Sequence, residues 1–463
     1  MKTWRILNVL LHIWANRTPV VICFALPFIS STVLAQNSGD QVSENTNDGA
    51  SESALPLSGR IFTDIYAPTK TLGHTPFRQT SASFWLNFDP RFSDATSAHA
   101  TLTVDAIEIL PDGTRSELRT RLREGYVAHN ASGFEFRVGR QIISWGKSDV
   151  VNPTDFLSAK DYTFFNPDEE VRRIGGTSVW ASFTPEQGAS PWNLIGVWTP
   201  FFPQSALLIP PTALPSTVSL TDTRAPGFTL TNSEVAAKLS YAGAGWDASV
   251  MAYRGWNHIP EFELRSIQGT LLNPQVTLGQ TFHRYRAFGA DGSIATDEWV
   301  FRGEGAYVFT ENNDGRNPLI IPSHLNTVVG LERPLGDRFR IQPQFIWRYF
   351  PRYTRPELAA GGNAVSVQIA EANALLLGYQ FRSRTSGTLR LSYENEAKDV
   401  EAEFFTLAHF VGGDYLLRPK FSYAWAESLK TTLGTDYYGG PVDRSLGALK
   451  PYRSVFFEAK YAF

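Results

Sequence analysis

Cysteine is all but missing: Cys23 is the only one in 463 residues, which excludes a disulfide framework and a thiolate metal site. Long apolar runs are missing too. The mean hydropathy of −0.19 is that of a water-compatible chain, and a bundle of membrane helices, each needing about 20 consecutive apolar residues, is excluded. Histidine is sparse. Beyond the N-terminal stretch the chain offers His74, His99, His129, His258, His283, His324 and His409, none with an acid or hydroxyl partner at a telling spacing. No phosphate loop, dinucleotide fingerprint or metal-ligand cluster appears, and Glu311–Gly315 lacks the spaced ligands of a calcium loop. These absences argue against an enzyme and against any cofactor or metal.

The N-terminus reads as a secretion signal. Lys2, Arg5 and Arg17 precede an apolar stretch from Pro19 to Ile29, and Val33-Leu34-Ala35 places small residues before a cut ahead of Gln36. Residues 1–35 are therefore expected to be removed. Cys23 falls inside this segment, without the preceding small residue that lipid attachment wants. Residues 36–58, rich in Ser, Asn, Asp and Glu, read as a flexible polar leader. The chain past residue 35 holds 39 Lys and Arg against 45 Asp and Glu, a net charge of −6, which speaks against nucleic-acid binding.

From residue 59 to Phe463 the dominant pattern is alternation with a period of two, the signature of strands. From Arg338 to Tyr349, Phe339, Ile341, Pro343, Phe345, Trp347 and Tyr349 share one parity while Arg338, Arg340, Gln342, Gln344 and Arg348 share the other. Aromatics crowd the strand ends. A soluble sandwich would bury an aliphatic face against a second sheet, whereas aromatic girdles suit a lipid interface. Tight turns such as Ala131-Ser132-Gly133, Pro111-Asp112-Gly113, Ala242–Gly245 and Pro334–Asp337 contrast with long connections over 147–174, 200–232, 256–282, 310–323, 351–372 and 439–451. Short turns on one side and long, extracellular or inward-folded loops on the other are the asymmetry of a transmembrane antiparallel β-barrel. The alternating segments number 19. Single-chain bacterial barrels have even counts, so one segment between Pro351 and Ala426 is surplus and about 18 strands are expected, with 16 as the alternative.

The final strand places Val455, Phe457, Ala459, Tyr461 and terminal Phe463 on one parity and Ser454, Glu458 and Lys460 on the other. It resembles the signal read by the barrel-assembly machinery of Gram-negative bacteria, implying an outer-membrane location and outer-membrane lipid as surroundings. Gly139-Arg140-Gln141, Trp145-Gly146-Lys147-Ser148-Asp149, Asn152-Pro153-Thr154-Asp155, Lys160-Asp161-Tyr162 and Asp168-Glu169-Glu170 with Arg172-Arg173 resemble the alginate-export-like channels and related barrels of unknown function. The match covers Phe134 to Gly175. It implies an outer-membrane channel whose loop after the GRQ strand enters or lines the pore.

On the inward parity both signs of charge are expected. Glu117, Arg119, Arg121 and Arg123 form a ladder, joined by Glu135, Arg137, Arg338 and Arg340. Three cations on successive inward positions repel unless something anionic is supplied. Strict parity would put Arg140 in lipid at about 2–4 kcal/mol, so a bulge at Gly139 is expected to turn it inward, beneath a constriction loop holding Asp149, Asp155, Asp161, Asp168, Glu169 and Arg172. The expected function is a porin-like channel for small polar or anionic solutes. An export barrel working with inner-membrane and periplasmic partners is the alternative. The apolar Phe201, Phe202, Leu207, Leu208 and Ile209 should leave water, by folding into the barrel mouth, binding apolar substrate portions, or packing on a second protomer of a homo-oligomer.

Overall fold

The structure, a computed structural model, describes residues 56–69, 78–110, 115–148, 151–166, 168–185, 190–207, 216–270, 273–362 and 364–463. The expected signal segment, all but the last three residues of the expected leader, the turn at Pro111-Asp112-Gly113, His74, Asp149, Leu208 and Ile209 lie outside the described residues.

Eighteen strands, each antiparallel to the next along the chain, form one sheet, and the last (Ser454–Ala462) pairs back to the first (Leu57–Pro68). Closure removes every sheet edge, the condition under which strands can cross hydrocarbon. The first strand opens two residues ahead of residue 59, because Leu57 and Ser58 pair with Phe88 and Asn87. At the seam, Phe463 and Gly59 exchange two backbone hydrogen bonds of 2.9 Å. A Cβ on Gly59 would stand 2.4 Å from the Trp85 carbonyl oxygen and 2.5 Å from the Phe463 ring, so only glycine lets the terminal aromatic close the wall.

The stretch from Pro351 to Ala426, where a surplus strand was expected, contains a helix, Ala364–Leu377, largely apolar but carrying Gln368, Glu371 and Asn373. Tight hairpins behave as read: Ser132 and Gly133 take φ of 49° and 85°, the pair of positive angles that a two-residue turn matched to strand twist requires.

The outward parity is apolar between its rims. Ile61, Ile65, Phe84, Phe136, Val138, Leu239, Phe301, Phe345, Phe421 and Val455 are all exposed, an apolar surface that only lipid can cover. The inward parity is divided, and the expectation of a charge-lined interior holds for part of it. Phe62, Tyr66, Trp85, Ile107, Ile109 and Phe456 form a buried cluster with Tyr162, Phe164, Phe165 and Val171 of the connection after the fifth strand. Elsewhere on the wall Ile195, Val197, Met251, Tyr253 and Val308 pack with Trp145 and Leu157 of the same connection. A segment that enters the bore carries its own apolar side chains, and the wall supplies matching surface at about 1.5–3 kcal/mol for each large side chain fully buried.

Candidate functional site: a loop held across the bore

The fifth barrel strand (Phe134–Gln141) and the sixth (Gly176–Phe183) are hydrogen-bonded neighbours, yet the chain between them makes a long excursion. It contains a short strand, Ala159–Tyr162, a one-turn helix, Glu169–Arg172, and a two-residue strand, Arg173–Ile174. The helix begins where the Asp168 side chain accepts from the Glu170 N–H at 2.9 Å, an N-cap that meets one of the orphan donors of the first turn.

One end of this excursion is fixed by Glu304, an inward residue of the eleventh strand (Val300–Thr310). Its Oε2 accepts the backbone N–H groups of Lys147 at 3.0 Å and Ser148 at 3.1 Å, and its Oε1 accepts the N–H and hydroxyl of Thr154 at 2.8 and 2.7 Å. The Lys147 ammonium reaches Asp247 and, at 3.2 Å, Asp291 on the ninth and tenth strands.

The other end is fixed by the arginine ladder of the fourth strand (Arg115–Ala131) and by the seam. Arg119 donates to Asp161 at 2.8 Å, Arg121 donates to the same carboxylate oxygen at 3.1 Å and to Asp105 at 2.8 Å, and Glu117 also pairs with Arg119. Arg123 carries no acid partner of this kind: its guanidinium donates to the carbonyls of Glu170, Val171 (3.3 Å) and Arg173 (2.9 Å). Trp85 lies between two guanidiniums, Arg60 at 3.8 Å and Arg123 at 4.3 Å from its ring centre. Arg60 also pairs with Glu170 at 3.2 Å, Lys460 with Asp168 at 3.3 Å, and the Gln79 amide exchanges two hydrogen bonds with the Phe165 backbone at 2.6 and 2.7 Å.

Within the loop, Asp155 lies 3.6 Å from Arg173, Glu169 pairs with Lys160 and lies 3.8 Å from Arg173, and the Arg172 guanidinium lies 5.9 Å from the Tyr162 ring centre. Burial pushes the Glu169 carboxyl up, but Lys160, Arg173 and Arg172 outweigh it and hold the group below its ordinary value.

The bulge expected at Gly139 is absent, and one occurs in the neighbouring fourth strand instead. The pairing of Phe134–Gln141 runs through Gly139 without an offset on both sides, whereas the register shifts where Thr101 and Leu102 oppose Glu124 and Leu122. Arg123 is the extra residue. That insertion aims both Arg123 and Glu124 inward, and Glu124 accepts the Ile142 N–H at 2.8 Å. Gly139 instead takes φ +139°, where a Cβ would stand 2.3 Å from the Gly125 carbonyl oxygen. Arg140 pairs in register with Gly125 and Thr177, makes no ion pair with the loop acids among the described residues, and buries an unpartnered Nε. It is not the pin expected of it.

The remaining expected residues are dispersed. Glu135 and Arg137 pair with each other at 2.7 Å, with Arg137 stacked 4.5 Å from the Trp180 ring centre. Arg338 and Arg340 lie at the short-turn end of the barrel, paired with Glu396 and with Glu332 at 3.4 Å. The structure gathers Arg119, Arg121, Arg123, Asp161, Asp168 and Glu169 into one assembly and leaves Arg338 and Arg340 out of it. Glu304, Arg60, Gln79 and Lys460 complete it, and of these sequence parity marked only Lys460, as inward-facing.

Other loops close over the long-loop end. Asn373 on the helix Ala364–Leu377 accepts the Phe262 N–H at 2.8 Å and donates to the carbonyls of Phe262 and Leu319, while Arg348 of the inner wall donates to the Leu377 carbonyl at 2.7 Å. Phe202 packs edge-on to Phe282 and Leu207 joins the buried clusters, so the start of the apolar connection does fold into the mouth. Phe201 stacks on Phe228 and stays exposed.

A closed antiparallel wall, apolar outside and divided within, crossed by a loop pinned to both sides, defines a porin-like outer-membrane β-barrel. A solved structure of that class shares the fold. OccAB1 of Acinetobacter baumannii superposes with a TM-score of 0.53 at 9% identity, covering 88% of this chain and 95% of that one. OccK5 (OpdH) of Pseudomonas aeruginosa gives 0.48 at 10% identity over 88% and 98% of the two chains. OmpT, an outer membrane protein of Vibrio cholerae, gives 0.38 at 8% over 88% and 96%. These likenesses are to outer-membrane barrels at large and not to the alginate-export-like group in particular. No known protein family and no curated protein matches the chain in sequence.

Proposed function

We propose that this barrel is a channel for small polar or anionic solutes, with the loop after the fifth strand as its constriction. One observation carries the reading: the loop is bound by Glu304 at one end and by Arg119, Arg121 and Arg123 at the other. A segment fixed at both ends across a bore sets the width left to a solute. Its acids neutralise part of the ladder, and Arg121, whose side chain is 35% exposed, keeps a face toward water. Ion pairs farther along the wall, Arg302 with Glu332 at 2.6 Å and Lys430 with Glu401 at 2.6 Å, keep that part of the interior wettable. Kinship with the alginate-export-like group belongs to the same proposal and rests on Gly139–Gln141 and Trp145-Gly146.

The test is single-channel recording on residues 36–463 in planar bilayers. Discrete current steps, with a reversal potential in a salt gradient displaced toward the anion, are expected. Well-folded barrels that pass no current would contradict the reading.

A further inference from the structure

We propose that Arg254 and Arg286, on the outside of the wall, form a binding site for the phosphoryl headgroup of an outer-leaflet lipid. The two are direct partners in the register between the ninth strand (Trp246–Trp256) and the tenth (Arg284–Ala295). Both lie on the lipid-facing parity, together with Val250 and Phe288, and both are exposed. Like charges directly opposite each other on a sheet face repel. Yet neither guanidinium has a hydrogen bond or ion pair with any described residue.

Their neighbours set the height. The row they occupy runs Val235, Arg254, Arg286, Phe309 across four adjacent strands. The next row toward the membrane centre is Ala237, Ala252, Phe288 and Tyr307, without charge. One row the other way, Arg284 is held in place: it donates to the Thr231 carbonyl at 3.0 Å and to Asn232 at 2.8 Å, and it stacks 4.2 Å from the Trp256 ring centre. Tryptophan at the strand end marks the interface between acyl chains and headgroups. The arginine pair therefore stands at headgroup level on the long-loop, outer side, with an apolar floor for acyl chains beneath it.

A contrast at the opposite rim shows what the chain does when it settles such a charge itself. Arg333, on the same outward parity, is paired with Glu298 at 2.6 Å and stacked 4.7 Å from the Trp299 ring centre. At Arg254 and Arg286 the counter-charge must come from outside. Two guanidinium forks side by side suit a group with several anionic oxygens, and a phosphate monoester presents three. The apolar row below selects a phosphate that carries acyl chains over a free one.

The test uses the barrel of residues 36–463 folded in detergent micelles, with bis-phosphorylated lipid A as probe and native mass spectrometry as readout. Binding at least tenfold weaker to R254Q/R286Q than to the parent is expected, with R254K/R286K between the two and R333Q like the parent. Lipid A stripped of its phosphates should bind the parent no better than the intact lipid binds R254Q/R286Q. The proposal is overturned if the glutamine pair, shown to be folded by heat-modifiable migration, binds within twofold of the parent. It is equally overturned if R254K/R286K loses no affinity while R333Q does, or if inorganic phosphate at the lipid's concentration displaces it.

Discussion

The two ends of the loop after the fifth strand are held by opposite charges doing the same kind of work. At one wall a single carboxylate, Glu304, collects three backbone N–H groups and a hydroxyl. At the other a guanidinium, Arg123, collects three backbone carbonyls, beside Arg119 and Arg121, which share one loop carboxylate. The first anchor recognises main chain almost alone, while the second mixes main chain with charge pairing. Main-chain recognition depends on where the backbone goes and little on which side chains it carries. Charge pairing depends on both, so in the proposed channel the arginine side is the one expected to tune the field seen by a solute.

Removing the carboxylate should have the largest effect. Glu304→Ala leaves three N–H groups and a hydroxyl without an acceptor in a buried place, at about 1–3 kcal/mol for each group that stays unmet. The loop end should leave the wall and single-channel conductance rise severalfold; an unchanged conductance would show that this anchor does not set the width. Arg123→Ala removes three charge-assisted hydrogen bonds and the contact with Trp85. A smaller rise in conductance is expected, with a lower temperature for loss of heat-modifiable migration and partial recovery in Arg123→Lys. Asp161→Asn keeps the shape of the loop and strips the charge shared by Arg119 and Arg121. Its expected effect is on both selectivity and stability: the reversal potential moves toward the anion, and the unfolding temperature falls because two guanidiniums lose the buried charge they share.

The smallest effect should come from pH, away from both anchors. Glu261, in the first strand (Glu261–Thr270) of an outer hairpin, is buried, and burial raises its carboxyl to about 8, helped by Glu311 and opposed by the Ile321 N–H. A folded value above the unfolded one means the stabilisation is complete below the ordinary glutamate value of 4.5, and it is lost as pH rises through about 8. Proteolysis of the outer loops should quicken between pH ~5 and ~9, and Glu261→Gln should flatten that dependence.

The outer face was legible in the sequence because it answers to one solvent. Away from the rims every lipid-facing position asks for the same thing, so Phe339, Phe345 and their like fall on one parity and the strands can be counted. The inner face answers to water, to the loop and to itself. Phe62, Tyr66 and Trp85 point inward because Phe164 and Phe165 arrive there, and nothing near them in the chain announces that arrival. The bulge did leave a trace: exposed apolar residues of the fourth strand are even-numbered through Leu122 and Val127 is odd, a break in parity that places the inserted residue between them. Glu304 left none, since its partners are backbone groups of a segment about 150 residues away. The helix Ala364–Leu377 overlaps the long connection read over 351–372; with Gln368 and Asn373 on different sides of it, its apolar residues make no one-sided stripe that would mark a helix.

A disulfide can measure directly whether the loop crosses to the opposite wall, in a chain whose only cysteine, Cys23, precedes the barrel. A Cβ on inward Gly289 would stand 2.8 Å from Thr154 Cγ2. The double variant Thr154→Cys/Gly289→Cys, as residues 36–463 in lipid, should form the bond on mild oxidation, with conductance held at the parent's level. Barrels that oxidise without linking these two positions would show that the loop lies elsewhere.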